Sequence, residues 1–354
     1  MRIRLRVRVG PGVVNHALHV ALRGSGLFFP PNPGSWQSST IGGNVSTNAS
    51  GPRSFRYGPT RRWVHSAEVV LGTGDRVLLG PSTAKRSLGP EMLDLVVGSE
   101  GTLGLVTSVT LRLARAPGRR CGVAVPVPDG TRVGALALAL AGRVSLPLSA
   151  IEYVDRTVAA ALRERPDSRL PGRGALVLVE LENETIEPET AALADLDAAL
   201  REAGLSEAAA VLPDADRMWS LRGEAGALLA EATGPSVRED VAVPLGTLDR
   251  LLARIHEIAA SEGVDVHVYG HLGQGNLHPT LALDPSSHAG RRARSLLLDA
   301  ARALGGTVSG EHGVGAVKRE FVPAELGGAA VRVLYGWKAL CDPDGILNPG
   351  KLLP

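Results

Sequence analysis

The sequence predicts an α+β fold, and three observations indicate it. The chain has 354 residues, 44% of them hydrophobic, and a formal charge of +2, which suits a globular protein of two domains. Its first nine residues alternate basic and apolar side chains with the period of a β-strand. Beyond residue 120, strand and helix patterns alternate across short turns, which favours an antiparallel sheet with helices on one face.

The elements of the first third follow from periodicity and turn residues. Gly10–Gly12 ends the first strand, and residues 28–58 are rich in Pro, Gly, Ser, Thr and Asn, so we expect a long, ordered functional loop there. The polar, turn-forming segment Ala116–Arg120 is the predicted domain boundary. Between them, strands are predicted over Ser66–Leu71, Arg76–Leu79 and Val106–Leu113.

The rest of the chain repeats strand and helix signals. Strands are predicted over Gly122–Val127, Ala150–Val154, Ala175–Glu182, Asp240–Val243 and Val264–Gly270. Helices are predicted over Arg132–Ala141, Arg156–Arg165, Thr190–Gly204, Thr247–Gly263 and Ser287–Leu304.

Composition excludes several classes of protein. The chain has two cysteines, Cys121 and Cys341, which lie far apart and lack the multi-cysteine spacing that an iron–sulfur cluster or a cysteine-based zinc site needs. No basic stripe is interleaved with aromatic residues, so we expect no nucleic-acid partner. No apolar stretch is long enough for a transmembrane segment, and the alternating N-terminus lacks the apolar core of a signal peptide, so a cytoplasmic location is expected.

Histidines gather around a predicted hairpin. In Val264–His271 the valines take one face of the strand, and the ring side chains take the other. If Gly273 and Gly275 turn the chain, His271 and His278 sit opposite each other, with Cβ atoms about 4.5–5.5 Å apart. Two imidazoles so placed suit a shared divalent metal ion.

A third ligand is expected from the later segment Ser309–Gly315. The helix Ser287–Leu304 returns the chain over its length, which makes Glu311 the candidate and gives a His2Glu site with an open position, as in catalytic zinc sites. His312 points differently from its neighbour and is expected to act as an acid or base. Either motif alone is more typical of a surface or hydrogen-bonded histidine, so the prediction depends on both together.

Four motifs occur in the order of a known family: Thr40–Asn48, Gly98–Gly104, Gly270–His278 with Ser309–Gly315, and Asp342–Lys351. From about Val9 to its end, the chain resembles the FAD-linked D-2-hydroxy acid dehydrogenases and oxidases of the vanillyl-alcohol-oxidase type. These include D-lactate dehydrogenases, D-2-hydroxyglutarate dehydrogenases and the flavin subunits of glycolate oxidase.

The resemblance implies a domain arrangement. Residues 1–118 would form a truncated PCMH-type FAD-binding domain, which lacks the first lobe of its relatives. Residues 119–320 would form a ferredoxin-like antiparallel-sheet cap domain for the substrate and the metal. Residues 321–354 would return to the flavin domain and close its pocket.

The resemblance also implies which residues surround the flavin. Residues along the isoalloxazine, ribityl and diphosphate region would be Pro31, Ser35, Thr40, Gly42, Gly43, Asn44, Thr47, Asn48 and Gly51. Glu100, Gly101, Gly104 and Val106 would lie nearer the adenosine half, and Asn348 and Lys351 would close the pocket. Glycines permit close backbone approach, while Thr and Asn side chains donate hydrogen bonds.

By the same resemblance, metal-dependent members bind zinc or a similar ion through residues matching His271, His278 and Glu311. These are the same three residues that the hairpin argument predicts as metal ligands. The ion would bind substrate oxygens, His312 would take the hydroxyl proton, and hydride would pass to flavin N5. Asn276 would orient the substrate or the flavin.

The resemblance also implies that Arg222 and Arg238 are the cations for the substrate carboxylate. Many relatives have lysine at the position of Arg238, and arginine there keeps the charge but changes the geometry. Gln274 replaces an aspartate common in the family motif, and Gly226 stands where hydroxyglutarate enzymes carry threonine. D-lactate or glycolate is therefore the expected substrate.

The expected partner is an electron acceptor: a quinone, a cytochrome or a separate iron–sulfur subunit. The chain could act as a homodimer or a hetero-subunit, peripheral at the inner face of the membrane.

Two alternatives to an active dehydrogenase stay open. The absent first lobe would reflect a misassigned start, a truncated gene or a partner chain that supplies it, and would weaken flavin binding. The chain would then be a flavin-poor, catalytically silent fragment or subunit. A hydrolytic zinc protein is the third reading, but it leaves Thr40–Gly51 and Gly98–Gly104 unexplained.

Overall fold

A computed structural model of the protein describes residues 5–81, 83, 87–128, 132–183, 188–205, 209–212 and 214–353. The chain divides into two compact units. The first consists of Met1–Ala116 together with Glu311–Pro354, and the second is Pro117–Gly310. The first break lies beside the predicted boundary at residue 118, and the second precedes the predicted one at residue 320.

The first unit contains a small antiparallel sheet. Its strands are β1 (Arg6–Val9), β2 (Leu27–Phe28), β3 (Val64–Val70), β4 (Arg76–Leu79), β5 (Leu105–Arg112) and β6 (Ala114–Arg115), and its helices are α1 (Asn15–Ala21), α2 (Ile41–Thr47), α3 (Ser54–Tyr57), α4 (Thr60–Trp63) and α5 (Leu93–Val96). The sheet order is β1-β5-β3-β4, and β2 pairs with β6. Phe29, Ile41, Val69 and Leu111 form the centre of its apolar core.

The segment predicted as a loop over residues 28–58 contains helices. Thr40 begins α2, where its hydroxyl accepts a hydrogen bond from the Gly43 N–H at 3.1 Å. Asn48 ends the helix in the left-handed conformation, with φ of 52°. The sequence does not predict this helix, because glycine is unfavourable in helix interiors and α2 contains Gly42 and Gly43. Its caps and the burial of Ile41 and Val45 stabilise it.

The C-terminal part of the first unit is a helix, α12 (Val322–Cys341), followed by a turn. The Lys338 ammonium donates to the carbonyls of Thr102 at 2.9 Å and Leu347 at 2.7 Å. The Gly72 N–H donates to the carbonyl of Cys341 at 2.8 Å. These contacts join residues after 311 to the N-terminal part of the same unit.

The second unit is built on a larger antiparallel sheet. Its strands are β7 (Arg119–Val127), β8 (Leu148–Val154), β9 (Ala175–Asn183), β10 (Ala210–Leu212), β11 (Val237–Arg238), β12 (Val241–Ala242), β13 (Val266–His271) and β14 (Asn276–Leu281). Its helices are α6 (Val133–Ala141), α7 (Arg156–Arg163), α8 (Pro188–Glu202), α9 (Ala215–Thr233), α10 (Leu248–Glu262) and α11 (His288–Ala303). The order is β10-β7-β9-β8-β13-β14-β11, with β12 also paired to β14.

Helices cover both faces of this sheet, so the prediction of helices on one face was wrong. One face, with Leu176 and Leu178, packs against α7 and α9 in a single apolar cluster. On the opposite face Val177 and Val179 are fully buried as well, and α8 packs against the same strand. A strand buried at every position needs cover on both sides.

Most predicted elements of the second unit are present within a few residues of their expected ends, but α9 was not predicted. Its buried residues recur at helical spacing, yet they include Ala215, Arg222 and Ala225, so the apolar stripe is weak in the sequence. Among the residues described, no helix has the length and apolarity needed to cross a membrane.

Candidate active site

A cavity of about 470 Å³ lies in the first unit. Its lining residues are Pro11, Gly12, Thr40, Gly42, Gly43, Ser46, Gly101, Gly104, Leu105, Val106, Ile346, Leu347 and Asn348. This volume falls within the range of cofactor pockets, about 300–1,000 Å³. Five of the thirteen lining residues are glycines, which lets a ligand approach the backbone closely.

The cavity gathers part of the predicted flavin set. It includes Thr40, Gly42, Gly43, Gly101, Gly104, Val106 and Asn348. The other predicted residues lie outside its lining, namely Pro31, Ser35, Asn44, Thr47, Asn48, Gly51, Glu100 and Lys351. Some of these have structural partners: the Asn48 side-chain oxygen accepts from the Arg61 N–H at 2.9 Å, and the Thr47 hydroxyl donates to the Gly43 carbonyl at 3.1 Å.

Glu100 connects two of the motifs within the first unit. Its carboxylate accepts hydrogen bonds from the backbone N–H groups of Val314 at 2.5 Å and Gly315 at 2.8 Å. Its own carbonyl accepts from the Asn348 side-chain amide at 2.5 Å. Glu100 therefore fixes the turn that follows His312 and also holds a residue of the cavity wall.

Asp342 is a site-building residue that sequence reasoning missed. It is 2% exposed, pairs with Lys338, and accepts from the N–H groups of Ile346 at 3.0 Å and Leu347 at 2.8 Å. Burial acts to raise the pKa of its carboxyl, but these hydrogen bonds outweigh burial and leave the pKa below its usual value. Its place at the start of the Asp342–Lys351 motif was the available signal.

The histidine hairpin is present, but its register differs from the prediction. Tyr269 pairs with His278, and His271 pairs with Asn276 at the end of the hairpin, so the two histidines are diagonal neighbours instead of directly opposite. The turn Leu272–Gln274 closes on Gly275 in the left-handed conformation and sets this register. The two imidazole rings still share one face, with centroids 5.3 Å apart.

Buried carboxylates flank both histidines inside the second unit. His271 Nδ1 lies 2.7 Å from Glu152 Oε1, and His278 Nδ1 lies 3.6 Å from Asp240 Oδ1. The Asp155 carboxylate fixes β13, the strand that carries His271, by accepting a hydrogen bond from the Val268 N–H at 2.5 Å. Burial raises the pKa of the Asp155 carboxyl, against the lowering effect of its backbone hydrogen bonds.

Asn276 has a defined orientation beside these groups. Its side-chain NH2 donates to Asp240 Oδ1 at 2.7 Å and to the Val241 carbonyl at 3.0 Å. Within the described part of the chain, its side-chain oxygen has no hydrogen-bond partner although it is buried. The side chain can therefore accept one further hydrogen bond, which fits the orienting role predicted for it.

The two predicted cations occupy different environments. Arg222 on α9 is buried, with Nη2 2.8 Å from Glu152 Oε2 and its guanidinium 4.6 Å from the centroid of the Tyr269 ring. Arg238 is exposed and donates to the Ser236 hydroxyl at 2.8 Å. It pairs with Thr280, two residues beyond His278 on the same face of β14.

Glu311 and His312 belong to the first unit, where His312 Nε2 lies 3.6 Å from Glu311 Oε1. The side chain of Glu311 is 9% exposed, whereas that of His312 is 63% exposed. The two adjacent side chains thus differ in their exposure to solvent.

The residues present fit both predicted groups. Two buried imidazoles with outer carboxylates are a donor set suited to a divalent metal. For a flavin, the first unit offers a glycine-lined wall, and at Gly101, with φ of 71°, a Cβ would lie 2.8 Å from the Asn348 amide nitrogen. A side chain at this position would therefore strain the backbone and crowd the wall.

Two protein families match parts of the chain. Residues 116–352 match the family described as FAD linked oxidases, C-terminal domain, and residues 2–80 match the family described as FAD binding domain.

Three relatives align with nearly the whole chain. The glycolate oxidase subunit GlcD of Bacillus subtilis (strain 168) is 33% identical over 98% of this chain and 75% of its own length. A D-2-hydroxyglutarate dehydrogenase of Stutzerimonas stutzeri (strain A1501) is 30% identical over 97% of this chain and 76% of its own length. A D-lactate dehydrogenase of Anaerostipes hadrus is 32% identical over 98% of this chain and 75% of its own length.

Solved structures share the fold. The chain is similar to p-cresol methylhydroxylase with a TM-score of 0.76 and 15% identity, covering 99% of this chain and 76% of that one. For an alkyldihydroxyacetonephosphate synthase, the TM-score is 0.71 at 17% identity, covering 99% of this chain and 65% of that one.

The predicted resemblance and the predicted α+β fold class are both confirmed. The family match covers more than half of the chain, and the relatives exceed or reach 30% identity. The chain therefore belongs to the FAD-linked oxidases, a family of oxidoreductases.

Proposed function

We propose that the protein oxidises a small D-2-hydroxy acid, D-lactate or glycolate, to the 2-oxo acid with FAD as cofactor and a divalent metal, zinc, at the substrate site. The observation that carries the proposal is the pair of buried imidazoles, His271 and His278, which share one face of a hairpin with their Nδ1 atoms toward buried carboxylates. Metal-binding histidines commonly have such outer partners.

The proposed metal ligands are His271, His278 and Glu311. The chain runs directly into Glu311 from Gly310, and Gly310 packs so closely on the Asn276 amide that a Cβ there would overlap it. Two imidazoles and one carboxylate leave an open position for a substrate oxygen, as in catalytic zinc sites.

Oxidation of a 2-hydroxy acid removes a hydride equivalent from C2 and a proton from the hydroxyl group. When bound, FAD supplies the hydride acceptor, and the metal supplies Lewis acidity toward the hydroxyl oxygen. The exposed imidazole of His312 takes the hydroxyl proton. Asn276 accepts a hydrogen bond through its side-chain oxygen and so orients the substrate.

Arg222 and Arg238 are the proposed cations for the substrate carboxylate. Arg238 is accessible and lies on the same sheet face as His278. Arg222 is engaged with Glu152, so Arg238 is the better placed of the two to contact a substrate directly.

A small substrate is favoured by Gly226. A Cβ at this position would lie 3.2 Å from the Tyr269 hydroxyl, so a threonine here would crowd that side chain. The relatives include enzymes named for glycolate, D-lactate and D-2-hydroxyglutarate, and the absence of this side chain argues for the shorter acids. Electrons would leave through a quinone, a cytochrome or a separate iron–sulfur subunit.

An absorption spectrum tests the flavin part of the proposal. We expect the purified 354-residue chain, supplied with FAD and then desalted, to keep the yellow colour and visible bands of a flavoprotein. Addition of D-lactate or glycolate without an electron acceptor should bleach those bands. A chain that stays colourless after FAD is added would contradict the enzyme assignment and favour a catalytically silent fragment or subunit.

A further inference from the structure

We infer that Glu152 is a positioning residue that fixes the tautomer and ring orientation of His271, with Arg222 as its counter-charge. The inference deepens the proposed function and rests on it for the role of His271 as a metal ligand. It assigns Arg222 a task inside the protein that is separate from contact with the substrate.

The contact between Glu152 and His271 determines which ring nitrogen carries the proton. Glu152 lies on β8, is fully buried, and presents Oε1 to His271 Nδ1 at 2.7 Å. An ionised carboxylate can only accept hydrogen bonds, so Nδ1 must be the donor. In the neutral ring, Nε2 is then unprotonated, and its lone pair can bind a metal ion.

Arg222 supplies the counter-charge to Glu152 in a buried environment. Its Nη2 lies 2.8 Å from Glu152 Oε2, the carboxylate oxygen that does not face His271. The guanidinium also stacks over the Tyr269 ring at 4.6 Å. A buried carboxylate is costly unless it is paired, and here one carboxylate oxygen faces His271 Nδ1 while the other forms an ion pair with Arg222.

Two successive contacts connect α9 to the hairpin through β8. Arg222 forms an ion pair with Glu152, and Glu152 contacts His271 Nδ1. Loss of the charge at Glu152 should leave the imidazole free to rotate or to adopt the other tautomer. For outer partners of metal-binding histidines, such a loss weakens metal affinity by about 10–100-fold.

The first test uses the unmodified protein. Nitrogen-15 labelling of the histidines in the full chain, with two-bond proton–nitrogen NMR spectra of the metal-free form, reports the tautomer of each neutral ring. The His271 signals are identified by their loss in His271→Asn. We expect the Nδ1-protonated tautomer. An Nε2-protonated His271 would overturn the inference, whether or not the protein binds zinc.

The second test measures zinc affinity by competition with a chromophoric chelator. We expect Glu152→Gln to weaken zinc binding by about 10–100-fold, since glutamine lacks the charge. Glu180→Gln is the matched control because Glu180 is also fully buried and lies on the same sheet face, where it binds Ser149 at 2.7 Å and Trp219 at 2.5 Å. It should leave zinc affinity unchanged.

Zinc binding by the wild-type protein distinguishes a failure of the proposed metal site from a failure of the role inferred for Glu152. Wild-type protein that binds no zinc would contradict the proposed metal site and remove the basis of this inference. Wild-type protein that binds zinc, with equal affinity in Glu152→Gln, would overturn the inference alone. An equal loss in Glu152→Gln and Glu180→Gln would also overturn it, since the effect would then follow from any buried carboxylate.

Discussion

Ionisable side chains concentrate in the interior of the second unit around two histidines. Glu152, His271 and Asp240 are each at most 5% exposed, and Arg222 is 8% exposed. Charged groups are seldom buried without a partner, and here each has one within the unit. Such a cluster is expensive for stability alone, which argues that it is kept for chemistry.

Substitution of the histidines should separate metal binding from proton transfer. We expect His278→Ala to remove bound zinc, because an imidazole ligand is lost from a buried site. His312→Ala should keep the zinc and abolish flavin reduction by the hydroxy acid, because the proton acceptor is lost. Metal content and anaerobic bleaching of the flavin measure the two effects.

The exposed His256 on α10 provides the control, and His256→Ala should change neither property. Equal loss of zinc from the His278 and His312 variants would contradict the division of roles.

Removal of Arg222 should destabilise the fold. Arg222→Met leaves the charge of Glu152 buried without its guanidinium, so we expect the free energy of unfolding to fall by about 3–5 kcal/mol. Urea denaturation measures this loss. The control is Arg254→Met, which breaks an exposed pair with Glu257 on α10 and should cost less than about 1 kcal/mol. Similar losses in the two variants would show that the buried pair contributes no more than a surface pair.

At the scale of elements, the turn after α12 is held by one carboxylate. Asp342 binds Lys338 and the N–H groups of Ile346 and Leu347, and the latter two residues line the cavity of the first unit. The cavity wall therefore depends on an ionised Asp342 that does not itself line it.

This turn should make stability depend on pH. Because the pKa of the Asp342 carboxyl is lowered in the folded state, its contribution is present above the unfolded pKa of about 3.9 and is lost as pH falls through the folded pKa. Asp342→Asn should therefore be less stable than wild type at pH 7, and the difference should shrink below about pH 4. Urea unfolding at both pH values measures it, and a difference that stays constant would contradict this account.

At the scale of the molecule, the second unit is one uninterrupted segment, Pro117–Gly310, with its own apolar core. We expect a fragment of these residues to fold alone, with a single cooperative thermal transition and the near-ultraviolet circular dichroism of a packed core. It should bind no FAD, because the glycine-lined cavity belongs to the first unit. A fragment that unfolds without cooperativity would show that its core depends on the rest of the chain.

Local patterns determined much of this outcome. Alternation and helical spacing located most strands and helices of the second unit, because their buried faces are large and apolar. Glycines beside His271, His278 and Glu311 marked the candidate metal site, and the Thr40 and Asp342 motifs indicated the family. Residue type and spacing carry this information without any knowledge of contacts.

Only the tertiary structure decided the rest, since it depends on residues far apart in sequence. It paired His278 with Tyr269, covered both faces of the large sheet, and formed helices where glycines and small residues had hidden them. It also brought Glu152 and Arg222 to His271 from elements more than a hundred residues and nearly fifty residues away, respectively. No local pattern records such pairings, because a buried charge is stabilised by whichever partner the fold places beside it.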